Sequence, residues 1–165
     1  MRRALVLLAC ASLLAPAAAQ ERPPVRDLAG PLEASGLLVD PEFGIEVRAL
    51  GLERRVEMFQ WTSDGSGGVE GRWSADALDD ANLPGGHANP EFPFRSHRWL
   101  AERLLLDGQP VDPALWRGRG EWNPLAADPA RLPPNLAVVF QPTEGGLSSS
   151  EDAQAPEVGD LRVSW

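Results

Sequence analysis

Residues 29–165 predict an α+β fold that is predominantly β, built of antiparallel strands and hairpins with one or two short helices. Three observations carry that expectation. The chain has 16 prolines and 16 glycines among 165 residues, a density that suits short strands and turns better than long helices. Residues 55–61 alternate with a period of two, Val56, Met58 and Gln60 on one face and Arg55, Glu57, Phe59 and Trp61 on the other. The run Ser-Asp-Gly-Ser-Gly-Gly at 63–68 then supplies hairpin chemistry before a second strand at 69–73.

The elements follow in order. Residues 20–28 are polar and proline-containing and read as an extended lead-in to the domain, whereas 29–40 has room for one short strand. A turn at 41–44 ends in Gly44, which is free to adopt positive φ. The longest strand segment is 45–62, with aromatic residues on its charged face, so both faces are expected to be partly covered. Ser74 suits the N-cap of a short helix through Ala81, with Asp76 in its first turn. A proline-rich loop at 86–94 leads to 96–107, whose alanine, glutamate and leucines favour helix on propensity alone, with Gly108 as its C′ residue. Asp112-Pro113 is an N-cap and N1 pair for a single helical turn. Beyond a loop at 120–134, the apolar run 136–140 reads as a strand and 145–156, rich in serine and acid, as a surface loop. Gly159 turns the chain into a last strand at 160–165, which reads as cut off while still running and so as an exposed sheet edge.

The amino terminus points to export. Arg2 and Arg3 precede an apolar run of about a dozen residues, too short for a span of roughly 20, and Ala17 to Ala19 offer small side chains to a signal peptidase. Residues 1–19 therefore read as a signal peptide cleaved after Ala19, which makes the protein periplasmic or secreted; the alternative is a membrane anchor through residues 4–19. Cys10 is the single cysteine and would leave with the signal, so no disulfide or cysteine ligand is expected. The formal charge is −9, and taking two of the 15 arginines away against 24 acids makes it −11. Nucleic acid and anionic lipid headgroups are poor partners for such a chain.

Chemistry-bearing patterns are weak. His87 and His97 lack a ligand spacing, and Asp76, Asp79 and Asp80 lack the alternating acids and central glycine of a calcium loop, so they read as a solvated helix face. Ser148 to Ser150 have no nucleophile-elbow signature, and the glycine pairs lack the Lys-Ser/Thr of a phosphate loop. No catalytic residue, metal or cofactor is expected; if there were an enzymatic acid, Asp160 would be the residue to replace. Six tryptophans without tyrosine suggest core and interface packing, with a platform of Trp61, Trp73, Trp99, Trp116 and Trp122 for a glycan or lipid as the alternative. Arg54 and Arg55, beside Glu53 and Glu57, read as members of cross-strand ion pairs.

Three segments in order carry a resemblance: "DPEFGIEVRALGLERRVEMFQW", "GGHANPEFPFRSHRWLA" and "PEVGDLRVSW". Together they make residues 27–165 similar to the transmembrane protein 43 (LUMA) family, as a bacterial member. The matching positions are Phe43 and Gly44 in the first turn, then Arg55, Glu57, Phe59, Gln60 and Trp61 in the long strand, with Phe59 standing where relatives usually carry tyrosine. His87, Asn89 and Pro90 fall in a His-x-Asn-Pro element, and Gly159, Asp160 and Arg162 in the last motif. In the family the stretch 98–111 is extended, so the resemblance replaces the helix at 96–107 with strands interrupted by a bend. Residues 29–165 would then be the N-terminal part of the family's non-cytoplasmic domain, truncated before the C-terminal membrane helices. The resemblance implies a non-enzymatic envelope protein that organises membranes or associates with other envelope proteins or with itself. A Trp-rich ligand-binding module and a truncated member without independent function are the alternatives.

Overall fold

The computed structural model describes residues 29–165, so the signal segment 1–19 and the lead-in 20–28 lie outside the described residues. Eleven strands follow one another: β1 (Leu32–Ala34), β2 (Leu38–Asp40), β3 (Ile45–Val47), β4 (Gly51–Ser63), β5 (Val69–Ser74), β6 (His97–Leu100), β7 (Leu104–Leu106), β8 (Gln109–Val111), β9 (Gln141–Thr143), β10 (Gly146–Ser148) and β11 (Leu161–Ser164). One short helix, α1 (Pro134–Ala137), and 3-10 turns at Pro84–Gly86, Pro113–Trp116 and Pro129–Arg131 complete the described residues. All the strand pairings are antiparallel, as the α+β, predominantly β expectation requires.

β4 organises the molecule. Its even-numbered residues Leu52, Arg54, Val56, Met58 and Gln60 are buried and its odd-numbered ones are not, so the period-two reading holds over the strand. β11 lies along residues 55–58 on one side, while β5 lies along 58–63 and β6 along 51–54. The six-stranded sheet runs β5-β4-β11-β10-β9, with β6 also on β4. β11 is therefore an interior strand, and the expected exposed edge at 160–165 is corrected: the path of that sheet ends on β5 and β9. The pair β2-β3 and the sheet β1-β7-β8 stand apart from it.

A 13-residue strand outruns its neighbours, and two side chains complete its ladder. Where β5 and β6 leave a gap, the Ser96 hydroxyl bonds both the N–H (3.0 Å) and the C=O (3.4 Å) of Val56. Beyond the start of β11, the Asn89 carboxamide accepts from Trp61 N–H at 2.6 Å and donates to its C=O at 3.0 Å. Asn89 thus acts as one residue of a missing strand.

The core fills the even-numbered face of β4. Leu52, Val56 and Met58 meet Leu147, Leu161 and Val163 of the same sheet, covered by Phe43, Ile45, Leu132, Leu136 and Phe140. Phe43 is the hub, with ring centroids 5.0 Å from Phe94, 5.7 Å from Phe140 and 5.2 Å from Trp165. Gly44 follows it with φ +68°, and a Cβ there would lie 2.6 Å from the Arg131 carbonyl oxygen. Only glycine lets the β2-β3 turn press against residues 131–133.

Several local expectations need correction. Residues 29–40 form two strands, and 45–62 divides into β3 and β4. Residues 74–81 are not helical, because the Ser74 hydroxyl closes a turn on Asp76 while the Gln60 carboxamide takes Asp76 C=O and Leu78 N–H. Residues 136–140 are not a strand: Leu136 and Phe140 are buried four apart while Val138 is 85% exposed, a helical spacing that begins at Pro134. Within 145–156, residues 146–148 form β10 and are wholly buried. The bend between β6 and β7 and the Asp112 cap on Ala114 N–H (2.8 Å) agree with the sequence.

Candidate functional site

The two faces of β4 present two polar constellations. On the inner face Arg54, 3% exposed, reaches Asp40, 0% exposed, with Nη1 to Oδ1 at 2.7 Å. Three more donors are engaged: Nε and Nη2 bond the Arg95 carbonyl at 3.0 and 2.9 Å, and Nη2 also pairs with Glu42. Asp40 accepts in addition from Trp165 Nε1 at 2.9 Å and from Glu42 N–H at 3.2 Å. The guanidinium lies 5.2 Å from the Phe43 ring centre and 5.6 Å from that of Trp99. A planar cation with five donors suits a pocket of fixed acceptors between aromatic faces, which lysine could not fill in the same way. This network ties β2, β4, the end of β11 and the 92–96 loop together, and it corrects the expectation that Arg54 sits in a cross-strand pair.

The outer face is a ridge of charges and rings. Arg98 pairs with Glu53 at 2.6 Å and lies 5.1 Å from the Trp122 ring centre. Arg55 pairs with Glu57 two residues along at 2.8 Å. The Arg162 guanidinium, from β11, lies 4.0 Å from the Trp73 ring centre, so it spans β4 to reach β5. Phe59 sits 5.4 Å from Trp73 and covers Gly71, where a Cβ would run into its ring. Trp61 meets His87 edge-on at 4.8 Å, and His87 Nδ1 lies 2.6 Å from the Pro84 carbonyl oxygen.

These contacts locate the family-motif residues. All but Phe43 and Gly44 gather around residues 55–61 of β4. Gln60 holds the 76–78 loop from beneath, and Asn89 completes the ladder at Trp61. Pro90 lies against Gly159, which takes φ +101° and donates to Phe59 C=O at 2.9 Å. Asp160 C=O accepts from Phe59 N–H at 2.8 Å, and its carboxylate accepts from Glu157 N–H at 2.8 Å.

The carboxylates are turn builders to an extent the sequence reading missed. Asp64, Asp79, Asp80, Asp112, Asp128 and Asp152 each accept from a nearby backbone N–H. Asp76 and Asp79 are solvated as expected, but on a turn and not on a helix face, and Asp80 is half-buried. At Asp64, N–H groups of Ser66 and Gly68 hold the carboxyl below its ordinary value of 3.8. The tryptophans do not form one platform either: Trp99 lies on the Arg54 side, while Trp61, Trp73 and Trp122 each meet a different cation or imidazole. Asp40, Arg54 and Trp165 were missed as a site, although strand parity alone puts Arg54 among the buried even positions.

Fold and site together define a β-rich domain whose polar side chains are committed to holding strands and turns in place. The chain is 24% identical over 163 residues to the transmembrane protein 43 homolog of Drosophila melanogaster, covering 82% of this chain and 40% of that protein. Transmembrane protein 43 of Rattus norvegicus and of Homo sapiens are each 28% identical, over 155 and 154 residues, covering 82% of this chain and 38% of theirs. The sequence is thus related to transmembrane protein 43, and it spans about two fifths of the length of the curated relatives it matches. No family model matches the chain, and no solved structure does. Among the described residues no helix is long and apolar enough to cross a membrane.

Proposed function

We propose that this chain is a non-enzymatic, exported module that works at a membrane by associating with other envelope proteins. The relation to transmembrane protein 43 over 82% of the chain carries the reading. Local structure supports it, because the acids and arginines around β4 are held in ion pairs, caps and stacking contacts. The outer ridge from Glu53 to Trp61 is the surface assigned to association: it carries Arg55, Phe59 and Trp61, and arginine and aromatic side chains are the types enriched at protein interfaces.

A photoreactive side chain in place of Arg55, which is 62% exposed at its side chain, tests the reading. Irradiated cells should give one discrete higher-mass adduct in the envelope fraction, absent when the probe replaces Leu115 on another part of the surface. Equal adduct patterns at both positions, or a hydrolase activity lost in Asp160→Asn, would overturn it.

A further inference from the structure

We propose that two copies of this chain join edge to edge through β5, in an antiparallel register centred on Gly71. The direction of the peptide groups comes first. Phe59 donates to Asp160 and accepts from Gly159, so its peptide groups face β11. Neighbouring residues of a strand face opposite edges, so Met58, Gln60 and Thr62 face β5 and pair with Ser74, Arg72 and Glu70. The N–H and C=O groups of Val69, Gly71 and Trp73 therefore point away from the sheet, where among the described residues no hydrogen bond meets them. The Phe59 ring that covers Gly71 packs on the sheet face, where a Cβ would point, and not along the edge to which the peptide groups point.

The side chains of this edge select their own sequence. Glu70 and Arg72 are exposed, and among the described residues neither is in an ion pair. Edge charges usually discourage strand pairing, but opposite charges two residues apart do so poorly against an antiparallel copy. With Gly71 opposite Gly71, each Glu70 faces the second copy's Arg72, and Val69 faces Trp73. The outward groups of Val69, Gly71 and Trp73 then fall opposite one another and form about six hydrogen bonds. A two-residue slip sets Glu70 against Glu70 or Arg72 against Arg72, and a one-residue slip turns the outward groups out of phase. One register satisfies both charge and hydrogen bonding, and it has the self-complementary two-fold symmetry of a closed dimer. The two six-stranded sheets become one continuous sheet.

Sedimentation velocity of the full-length chain tests the proposal by charge reversal at two exposed positions. Wild type should dimerise. Glu70→Arg and Arg72→Glu should each weaken association about tenfold by placing like charges opposite one another. Mixing the two variants should restore dimer in trans, and the double reversal should restore it within one sequence, with unchanged far-ultraviolet dichroism throughout. A wild-type chain that stays monomeric, because residues 1–28 or a different polypeptide covers β5, would overturn the proposal. So would single reversals that dimerise as well as wild type. A monomeric chain that still forms the position-55 adduct would overturn self-pairing and leave the proposed envelope association standing.

Discussion

Arg54 and Arg55 are adjacent in sequence and point to opposite sides of one strand. Arg54 is 3% exposed, bonded to a buried carboxylate and a carbonyl and flanked by two rings. Arg55 has a single partner, Glu57, and most of its side chain in water. The residue type is the same; the surroundings decide what it contributes. In the interior the cation and its acceptors must all be present or one buried charge is stranded. On the surface, water replaces a lost partner at little cost.

The largest break in that contrast is Asp40→Ala, which leaves Arg54 buried with only the half-exposed Glu42 carboxylate and removes the acceptor for Trp165. A loss of about 3–5 kcal/mol is expected, read as a lower midpoint in urea with an unchanged slope. Replacing Asp40 and Arg54 together by apolar residues should cost less than the single change, and a double-mutant cycle would show it. Next comes Trp165→Phe, which keeps the aromatic packing on Phe43 but deletes the indole donor to Asp40. About 2 kcal/mol should be lost, as for other hydrogen bonds to charged groups, and near-ultraviolet dichroism would confirm retained packing. Arg55→Ala should change stability by no more than about 0.5 kcal/mol in the same assay.

The smallest effect belongs to Asp64, at the exposed hairpin tip. Its carboxyl is depressed in the folded chain, so its contribution is complete above the ordinary carboxylate range and is lost as pH falls through the folded value. Amide exchange at Ser66 and Gly68 should quicken over that acid range while the core amides are unaffected. Asp64→Asn should flatten the dependence.

The fold class, the β4-β5 hairpin and the alternation of β4 were legible because they rest on a period of two and on glycine-rich turns. The strands β6 and β7 were legible only through family resemblance, since alanine, glutamate and leucine there favour helix until the pairing with β4 and β1 overrides them. Helix α1 was misread because its short apolar run fits either period, and only the exposure of Val138 shows which one applies. The Asp40–Arg54–Trp165 network was hidden for another reason. Its members are brought together by tertiary packing, and composition says nothing about which acid meets which arginine.

The position of β11 also has a consequence for time. Asp40 and Trp165 are 125 residues apart, and β11 must enter between β4 and β10 before their bond can form. During synthesis the β4-β5 hairpin can close early from local contacts, but the other edge of β4 waits for residues made about a hundred positions later. Until β11 arrives, that edge of β4 presents open peptide groups to any neighbouring chain. The same strand order that unites the finished domain leaves one edge of β4 open until the last residues of the domain are made.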